Sequence, residues 1–357
     1  MVARQAGKGA PAGPRRAALR VLLAGLATAA SMVASMAPAV PARAAAPRRL
    51  NAANWDQAAQ RLVVREGLMS EPGAGFSGAQ RLSGAELSQS LQALATSEGV
   101  APQASAAGAT VSVVRFDAAV VAQLGLGEVA AQVERSARSA GLEPPSYFGT
   151  EVVTRFLELR YEHPVGEQSL DLYPTDPITR AEAAYSLAAV LGLDEGELAV
   201  AREQLMRFTL PRYDEAQLTV LRIAVSKIGM PYVWGGTTDG REDGLEHGGY
   251  DCSGFAWRVY KGSGLGWGTK IVGRTAAEQA GEIPKRQRIP LTGVQGGDLL
   301  FFGSAHFNST ATESNVIHEG IALSDEWAIH SSGQGVYVLP LTSGWLAQSF
   351  AWARRVL

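Results

Sequence analysis

The sequence predicts an all-helical first part followed by an α+β second part. In the first part, apolar residues recur at helical spacing between Pro and Gly breaks, for example from Trp55 to Val63. In the second part, two apolar helices precede short apolar segments that Gly, Ser and Asp residues separate. Helices followed by a run of antiparallel strands are typical of an α+β fold.

The chain of 357 residues divides into four predicted segments. Residues 1–45 form a signal peptide, because basic residues precede an apolar run and Ala42-Arg43-Ala44 offers a cleavage site. We assign residues 50–193 to the helical domain, 194–213 to a linker helix and 214–357 to the α+β domain. Sec export and twin-arginine export both remain open. We therefore expect a secreted protein, extracellular or associated with the cell wall.

The composition argues against several classes of partner. The chain has 32 Lys and Arg residues against 34 Asp and Glu residues, a formal net charge of -2, so no nucleic-acid-binding surface is indicated. After the predicted signal, no segment provides the roughly 20 apolar residues of a transmembrane helix. We expect no metal and no cofactor, since there is one Cys and no His pair at zinc-ligand spacing.

Helix stops and strand patterns define the elements of the α+β domain. An apolar helix from Leu218 to Ile228 stops at Gly229, and a second helix follows Cys252 and ends at Gly262. Beyond it, short apolar segments alternate with turn residues. The predicted strands are residues 298–302, 316–323, 327–331, 336–339 and 350–354.

Cys252 is the single cysteine of the chain, so it cannot form an internal disulfide. It is therefore a buried spectator, an intermolecular link or a nucleophile. Asp251 and Ser253 flank it, and Gly254 allows close approach of backbone or substrate. At the first turn of a helix, unpaired N–H groups are expected to favour the thiolate over the thiol. We predict that Cys252 is a nucleophile.

A cysteine nucleophile needs a base within hydrogen-bond reach, and a third group orients that base. If residues 324–326 form a three-residue turn, His330 faces Gly320, and His318 is its diagonal neighbour on the same face of the sheet. Gly320 leaves the space between the two rings open. The sequence thus predicts a hydrogen bond between His318 as base and His330 as orienter. The two roles exchange if the register slips.

Two segments of the helical domain resemble each other. Residues 178–182, Ile-Thr-Arg-Ala-Glu, and residues 82–86, Leu-Ser-Gly-Ala-Glu, both place Glu three positions after a hydroxyl N-cap, which could be convergent capping. The first segment resembles the end of an S-layer homology (SLH) repeat, and the second is a weaker copy. The resemblance implies three helical repeats around a shared axis, with a middle repeat from Phe116 to Tyr161. It also implies an anionic cell-wall polymer as ligand; a helical scaffold is the alternative.

Six short segments of the α+β domain follow one another in an order that makes a specific signal. They are Gly229–Gly236, Asp251–Phe255, Arg274–Gln279, Gly296–Phe302, His318–Ile321 and Ile329–His330. Together they resemble the NlpC/P60 family of papain-like cell-wall peptidases. The resemblance implies a papain-like α+β domain, in which helices pack on an antiparallel sheet, behind an all-helical SLH-like domain.

The same resemblance implies the roles of the principal site residues. It makes Cys252 the nucleophile, His318 the general base and His330 the third polar residue. It also places Tyr232 and Asp251 beside the cysteine, where members of the family recognise the free amine of a stem peptide. The backbone N–H of Cys252 would help to stabilise the tetrahedral oxyanion.

Two further residues complete the candidate substrate-binding set. Ser253 flanks the nucleophile. Arg274 is interpreted equally well as a structural ion pair or as a ligand of a substrate carboxylate. Trp234, although it lies in the first of the six segments, is expected to be a core aromatic residue.

The resemblance implies an exported cysteine endopeptidase that cleaves the bond between D-glutamate and a diamino acid in peptidoglycan stem peptides. An amidase or a transpeptidase would use the same Cys/His pair on another acyl donor. A wall-binding protein is the third alternative, in which the long loops 237–249 and 303–315 cover the cysteine.

Overall fold

The computed structural model describes residues 55–71, 73, 75–99, 101–102, 108–161, 163–164, 167–240 and 248–357. The predicted signal peptide lies outside the described residues, and so does the part of the 237–249 loop from 241 to 247. Within the described ranges, no helix combines the length and the apolar character needed to cross a membrane.

The helical part consists of short helices with buried apolar faces. Its elements are α1 (Gln57–Arg65), α2 (Gly84–Glu98), α3 (Val113–Gln123), α4 (Gly127–Ser139), α5 (Phe148–Phe156), a 3-10 helix (Gln168–Leu170), α6 (Arg180–Gly192) and α7 (Glu195–Met206). Leu87, Leu91 and Leu94, which recur at helical spacing, are buried on one face of α2. Ser83 and Glu86 form the predicted capping box at its start.

Three segments of the helical part close a ring of backbone hydrogen bonds. The N–H of Leu82 donates to Ile178 O (2.9 Å), that of Ile178 to Val111 O (2.8 Å) and that of Val111 to Leu82 O (3.0 Å). Each of these residues directly precedes the N-cap of a helix, α2, α3 or α6. The middle segment therefore starts at Val111, ahead of the Phe116 that the sequence suggested. The SLH assignment itself stays a prediction.

The charged side chains of the Ile-Thr-Arg-Ala-Glu segment are turned into the protein. Arg180 is 1% exposed; its guanidinium donates to Phe76 O at 3.0 Å and pairs with Glu86. Glu182 is also buried, and its Oε1 lies 3.0 Å from His163 Nε2. Because Arg180 and Glu182 make these contacts inside the domain, the structure favours the scaffold alternative over polymer binding at residues 178–182.

The second part is built around one antiparallel sheet. Its elements are α8 (Glu215–Ser226), β1 (Thr237–Thr238), β2 (Gly249–Tyr250), α9 (Cys252–Gly262), 3-10 helices (Gly266–Lys270, Lys285–Gln287, Leu291–Gly293), α10 (Ala276–Gly281), β3 (Leu299–Phe302), β4 (His318–Ala322), β5 (Trp327–Ser332), β6 (Gly335–Pro340), α11 (Gly344–Ser349) and β7 (Phe350–Arg354). Among the described residues, five strands follow the order β6-β5-β4-β3-β7. Every predicted strand occurs, the last with its predicted ends and the others with ends that differ by one or two residues, which confirms the α+β prediction.

Different helices cover the two faces of this sheet. Ile321 of β4 belongs to the same buried cluster as Phe255 of α9, and α9 packs on β4 and β5. Ala322, the next residue of β4, packs in a second cluster with Leu346 of α11. Since side chains alternate along a strand, neighbouring residues of β4 face different helices.

The two parts of the chain share a packed interface. The predicted linker helix is α7, which buries Ala201 and Leu205 and packs on α4. Phe208, just beyond α7, lies against Trp327 of β5 with ring centroids 4.9 Å apart. At the β6 edge of the sheet, α5 packs on the strand. The helical part therefore packs against β5 and β6 of the sheet.

Candidate active site

Cys252 is the first residue of α9, and Asp251 is the N-cap of that helix. The Asp251 side chain accepts a hydrogen bond from Gly254 N–H at 2.6 Å, which starts the helix at the cysteine. A side chain at residue 254 has no room, since a Cβ there would lie 2.0 Å from the Gly236 carbonyl oxygen. The Gly235-Gly236 turn therefore packs directly against the first turn of α9.

Asp251 also ties two other segments to the helix start. Its Oδ2 accepts from Gly235 N–H at 3.0 Å. The Arg274 guanidinium donates to Oδ1 at 3.0 Å and to Oδ2 at 2.8 Å, and also to Ser253 Oγ at 3.0 Å. The structure thus brings Asp251, Ser253 and Arg274 together beside the thiol and favours the ion-pair interpretation of Arg274. Among the described residues, no group of three or more His, Cys, Asp or Glu side chains is arranged to hold a metal ion.

The two histidines meet as the predicted hairpin requires. Gly320 pairs with His330 across β4 and β5, and the turn closes where Leu323 N–H donates to Trp327 O. His318 Nε2 lies 2.9 Å from His330 Nδ1. Because this bond occupies Nε2 of His318, its Nδ1 is the ring atom left to take a thiol proton. The predicted hydrogen bond and its register are confirmed.

The Cys252 sulfur lies against the strand that carries His318. The backbone N–H groups of Glu319 and Ser253 hydrogen-bond to the sulfur, and α9 packs on β4. The cysteine is half-buried. The nucleophile candidate is therefore next to the peptide bond that joins His318 to Glu319, on the strand of the candidate base.

Burial sets the protonation states of this pair. Burial, with smaller contributions from Glu319 and Asp251, raises the pKa of the Cys252 thiol to about 12. Burial also lowers the pKa of His318 to about 4 and holds that of His330 well below its ordinary value. The expected preference for thiolate is therefore wrong for the free protein, because desolvation outweighs the N–H groups of the first turn. Thiol and imidazole rest as neutral groups.

The low pKa of His318 predicts the acid limb of the pH–activity profile. The base must be neutral in the free enzyme, and kcat/KM falls as that form is lost. With a pKa of about 4, His318 keeps its basic form well below the range of an ordinary histidine. We expect kcat/KM for a soluble stem peptide to fall near pH 4. Recovery of activity after return to neutral pH controls for unfolding, and a fall centred near pH 6.5 would contradict the prediction.

Glu319 is a buried acid that the sequence reasoning did not single out. Its side chain is fully buried, and neither carboxyl oxygen has a hydrogen-bond partner within the described part of the chain. Burial raises its pKa well above the ordinary value; Asp251 and Glu282 add to the rise, while Arg354 and Arg274 oppose it. The carboxyl group therefore stays neutral to higher pH than that of an exposed glutamate.

Glu319→Gln is expected to stabilise the protein at alkaline pH. The pKa of Glu319 is higher in the folded than in the unfolded protein. Its contribution to the free energy of unfolding is therefore fully present below the unfolded pKa of 4.5 and is lost as pH rises through the folded pKa. The gain at pH 8 should be on the order of 1–3 kcal/mol in urea unfolding. It should shrink toward pH 4.5. Glu326→Gln, at an exposed site in the β4–β5 turn, is the control; an equal, pH-independent gain in both variants would refute this.

The loop before α9 supplies two aromatic residues of different exposure. Tyr232 is half-buried near Cys252 and Asp251, and burial raises its pKa. Trp234 is 67% exposed, so the expectation of a core aromatic is wrong. Val233 is buried at this turn, and the side chain that follows it points outward.

A second tryptophan borders the candidate base. Trp345 of α11 is 49% exposed, and its ring centroid lies 5.5 Å from that of His318. Phe302 contacts the same tryptophan at 5.9 Å. The sequence reasoning missed Trp345, because its segment is outside the six segments of the resemblance and has no local pattern that indicates a site.

Comparison with known proteins identifies the second part of the chain. Residues 229–355 match the model of the NlpC/P60 family. These residues form an NlpC/P60 domain. Members of this family are cysteine peptidases, which confirms the enzyme class predicted for the domain.

Curated relatives of the NlpC/P60 domain are named as peptidases. A gamma-D-glutamyl-L-lysine dipeptidyl-peptidase of Bacillus subtilis is 29% identical over 117 residues, 32% of this chain and 32% of the relative. The probable peptidoglycan endopeptidase LytE of Bacillus subtilis is 31% identical over 132 residues, 37% of this chain and 32% of the relative. A solved NlpC/P60 family protein from Bacillus cereus is 26% identical, with 42% of each chain covered and a TM-score of 0.31. The matches thus span 32% of the length of these two curated relatives.

Proposed function

We propose that this protein is an exported cysteine endopeptidase that cleaves peptidoglycan stem peptides. The observation that carries the proposal is the position of Cys252 at the start of α9, beside the strand of the hydrogen-bonded His318–His330 pair. The names of the relatives, a gamma-D-glutamyl-L-lysine dipeptidyl-peptidase and a probable peptidoglycan endopeptidase, support it. The proposed scissile bond joins the γ-carboxyl of D-glutamate to the amine of a diamino acid.

The first half of the proposed reaction forms a thioester. Cys252 Sγ attacks the γ-carbonyl carbon while His318 Nδ1 takes the thiol proton. The Cys252 backbone N–H, at the N-terminus of α9, stabilises the oxyanion. His330 Nδ1 accepts from His318 Nε2 and so supports the imidazolium. His318 then gives its proton to the leaving amine as the C–N bond breaks.

The second half releases the acyl group. A water molecule attacks the thioester carbon, and His318 takes one of its protons. The C–S bond breaks, the proton passes to Cys252 Sγ, and the γ-carboxyl of D-glutamate is freed. Because the thiol and the imidazole are neutral at rest, thiol deprotonation has to accompany the attack rather than precede it.

Recognition of the free amine of the stem peptide is proposed for Tyr232 and Asp251. The Asp251 oxygens already accept from Gly254, Gly235 and Arg274. A substrate ammonium would therefore share Asp251 with the guanidinium instead of meeting an unoccupied acceptor.

We also propose that the protein works outside the cell, at the wall, and that the helical part acts as a scaffold for the NlpC/P60 domain. The packing of Phe208 on Trp327 and of α5 on β6 supports the scaffold role. The burial of Arg180 and Glu182 argues against a polymer site at that segment.

Mass spectrometry of the fragments released from purified peptidoglycan tests this function. The mature protein is expected to release peptides cut between D-glutamate and the diamino acid. Intact stems freed from the glycan would indicate an amidase, and new cross-links would indicate a transpeptidase. Binding to peptidoglycan without any release, by the full protein and by residues 214–357 alone, would contradict the proposed enzyme and favour the wall-binding alternative.

A further inference from the structure

An exposed aromatic side chain borders the candidate base. Trp345 on α11 is 49% exposed. The Trp345 ring meets the His318 ring edge-on, with an interplanar angle of 66°. The rings of Phe302 and His330, which also contact His318, are buried. Of these three rings beside the base, Trp345 is therefore the one that a substrate can reach.

The chemistry of the base fixes which half of a substrate reaches this side. The imidazole that takes the thiol proton returns it to the leaving amine, so that amine must come within hydrogen-bond distance of His318 Nδ1. The residue that carries the amine then lies beside Trp345, the exposed neighbour of His318. The acyl half lies on the side of Cys252 that holds Tyr232 and Asp251.

We propose that Trp345 forms the subsite that holds the leaving diamino acid. The inference rests on the proposed peptidase function. A diamino acid offers an aliphatic chain that can pack on an indole face and a terminal cation that the face attracts. The contact between Phe302 and Trp345 holds the indole beside the base before substrate arrives. Trp345 thus selects the leaving residue and is not part of the proton transfer.

Two substrates that differ only in the leaving residue test this assignment on the full-length protein. Both carry the L-alanyl-γ-D-glutamyl acyl group; one has lysine after it and the other glycine. Trp345→Ala should lower kcat/KM for the lysine peptide by about 10-fold or more and for the glycine peptide by less than about 2-fold. Trp345→Phe keeps a ring, so its kcat/KM for the lysine peptide should fall between those of Trp345→Ala and the wild type.

Trp234→Ala is the matched control, since it removes another exposed tryptophan, 67% exposed, from the loop before α9. Any loss in that variant should be the same for both peptides. An equal loss for both peptides in Trp345→Ala would overturn the subsite and leave Trp345 as packing for His318. If the wild type cleaves neither peptide, the proposed function fails and the subsite fails with it. Retained cleavage of the glycine peptide shows that the variant is folded.

Discussion

Replacing His318 by alanine is expected to lower kcat/KM for a stem peptide by about 10,000-fold. The reason is the protonation state of the nucleophile. Burial holds the Cys252 thiol neutral, with a pKa of about 12, so the helix start cannot supply a thiolate unaided. Without His318, no group takes the proton during attack or returns it to the leaving amine. Steady-state kinetics of the purified variant measure the effect.

Two further histidine variants sharpen this prediction. His330→Ala should cost less, about 100-fold, because it removes the acceptor that orients His318 and leaves the base in place. His306→Ala is the matched control, since His306 is exposed in the 303–315 loop. A His318→Ala loss of less than about 10-fold would contradict the role of His318 as base.

Asp251→Ala is expected to lower the free energy of unfolding by about 3 kcal/mol. The side chain caps α9 through Gly254 N–H and also holds Gly235 N–H, and alanine leaves both donors without their acceptor. The Arg274 guanidinium is 39% exposed, so water can replace part of its lost partner. Urea unfolding measures the change.

Asp214→Ala provides the comparison for that loss. Asp214 caps α8 by accepting from Gln217 N–H at 2.8 Å, and it is exposed. Its removal should cost about 1 kcal/mol, the ordinary value of an N-cap. The excess at Asp251 then measures its links to Gly235 and Arg274. Equal losses at the two positions would show that Asp251 acts only as a helix cap.

The parts of the site that sequence predicts are those governed by local rules. The side-chain period of two and a three-residue turn fix the pairing of Gly320 with His330, and hence the contact with His318. An N-cap Asp and a Gly stop likewise bound the helix that starts at Cys252. Such features depend on a few neighbouring residues, so a single sequence contains them.

The parts that sequence does not predict depend on distant packing. The neutral thiol follows from how α9 is buried against β4 and from the inward direction of Glu319. Trp345 meets His318 because α11 lies on one face of the sheet, and no pattern near Trp345 indicates that contact. The relation of Val111 to Leu82 and Ile178 depends on the ring of backbone hydrogen bonds that joins them, and no local pattern in the sequence indicates that ring.

The most direct test of Cys252 as the nucleophile is to trap the acyl-enzyme. The wild type is mixed with a stem peptide, quenched in acid within the turnover time, digested and analysed by mass spectrometry, in parallel with Cys252→Ala. We expect the L-alanyl-γ-D-glutamyl mass on the peptide that contains Cys252 in the wild type, and neither adduct nor cleavage in the variant. Cleavage by Cys252→Ala at the wild-type rate, or an adduct on another residue, would contradict Cys252 as the nucleophile.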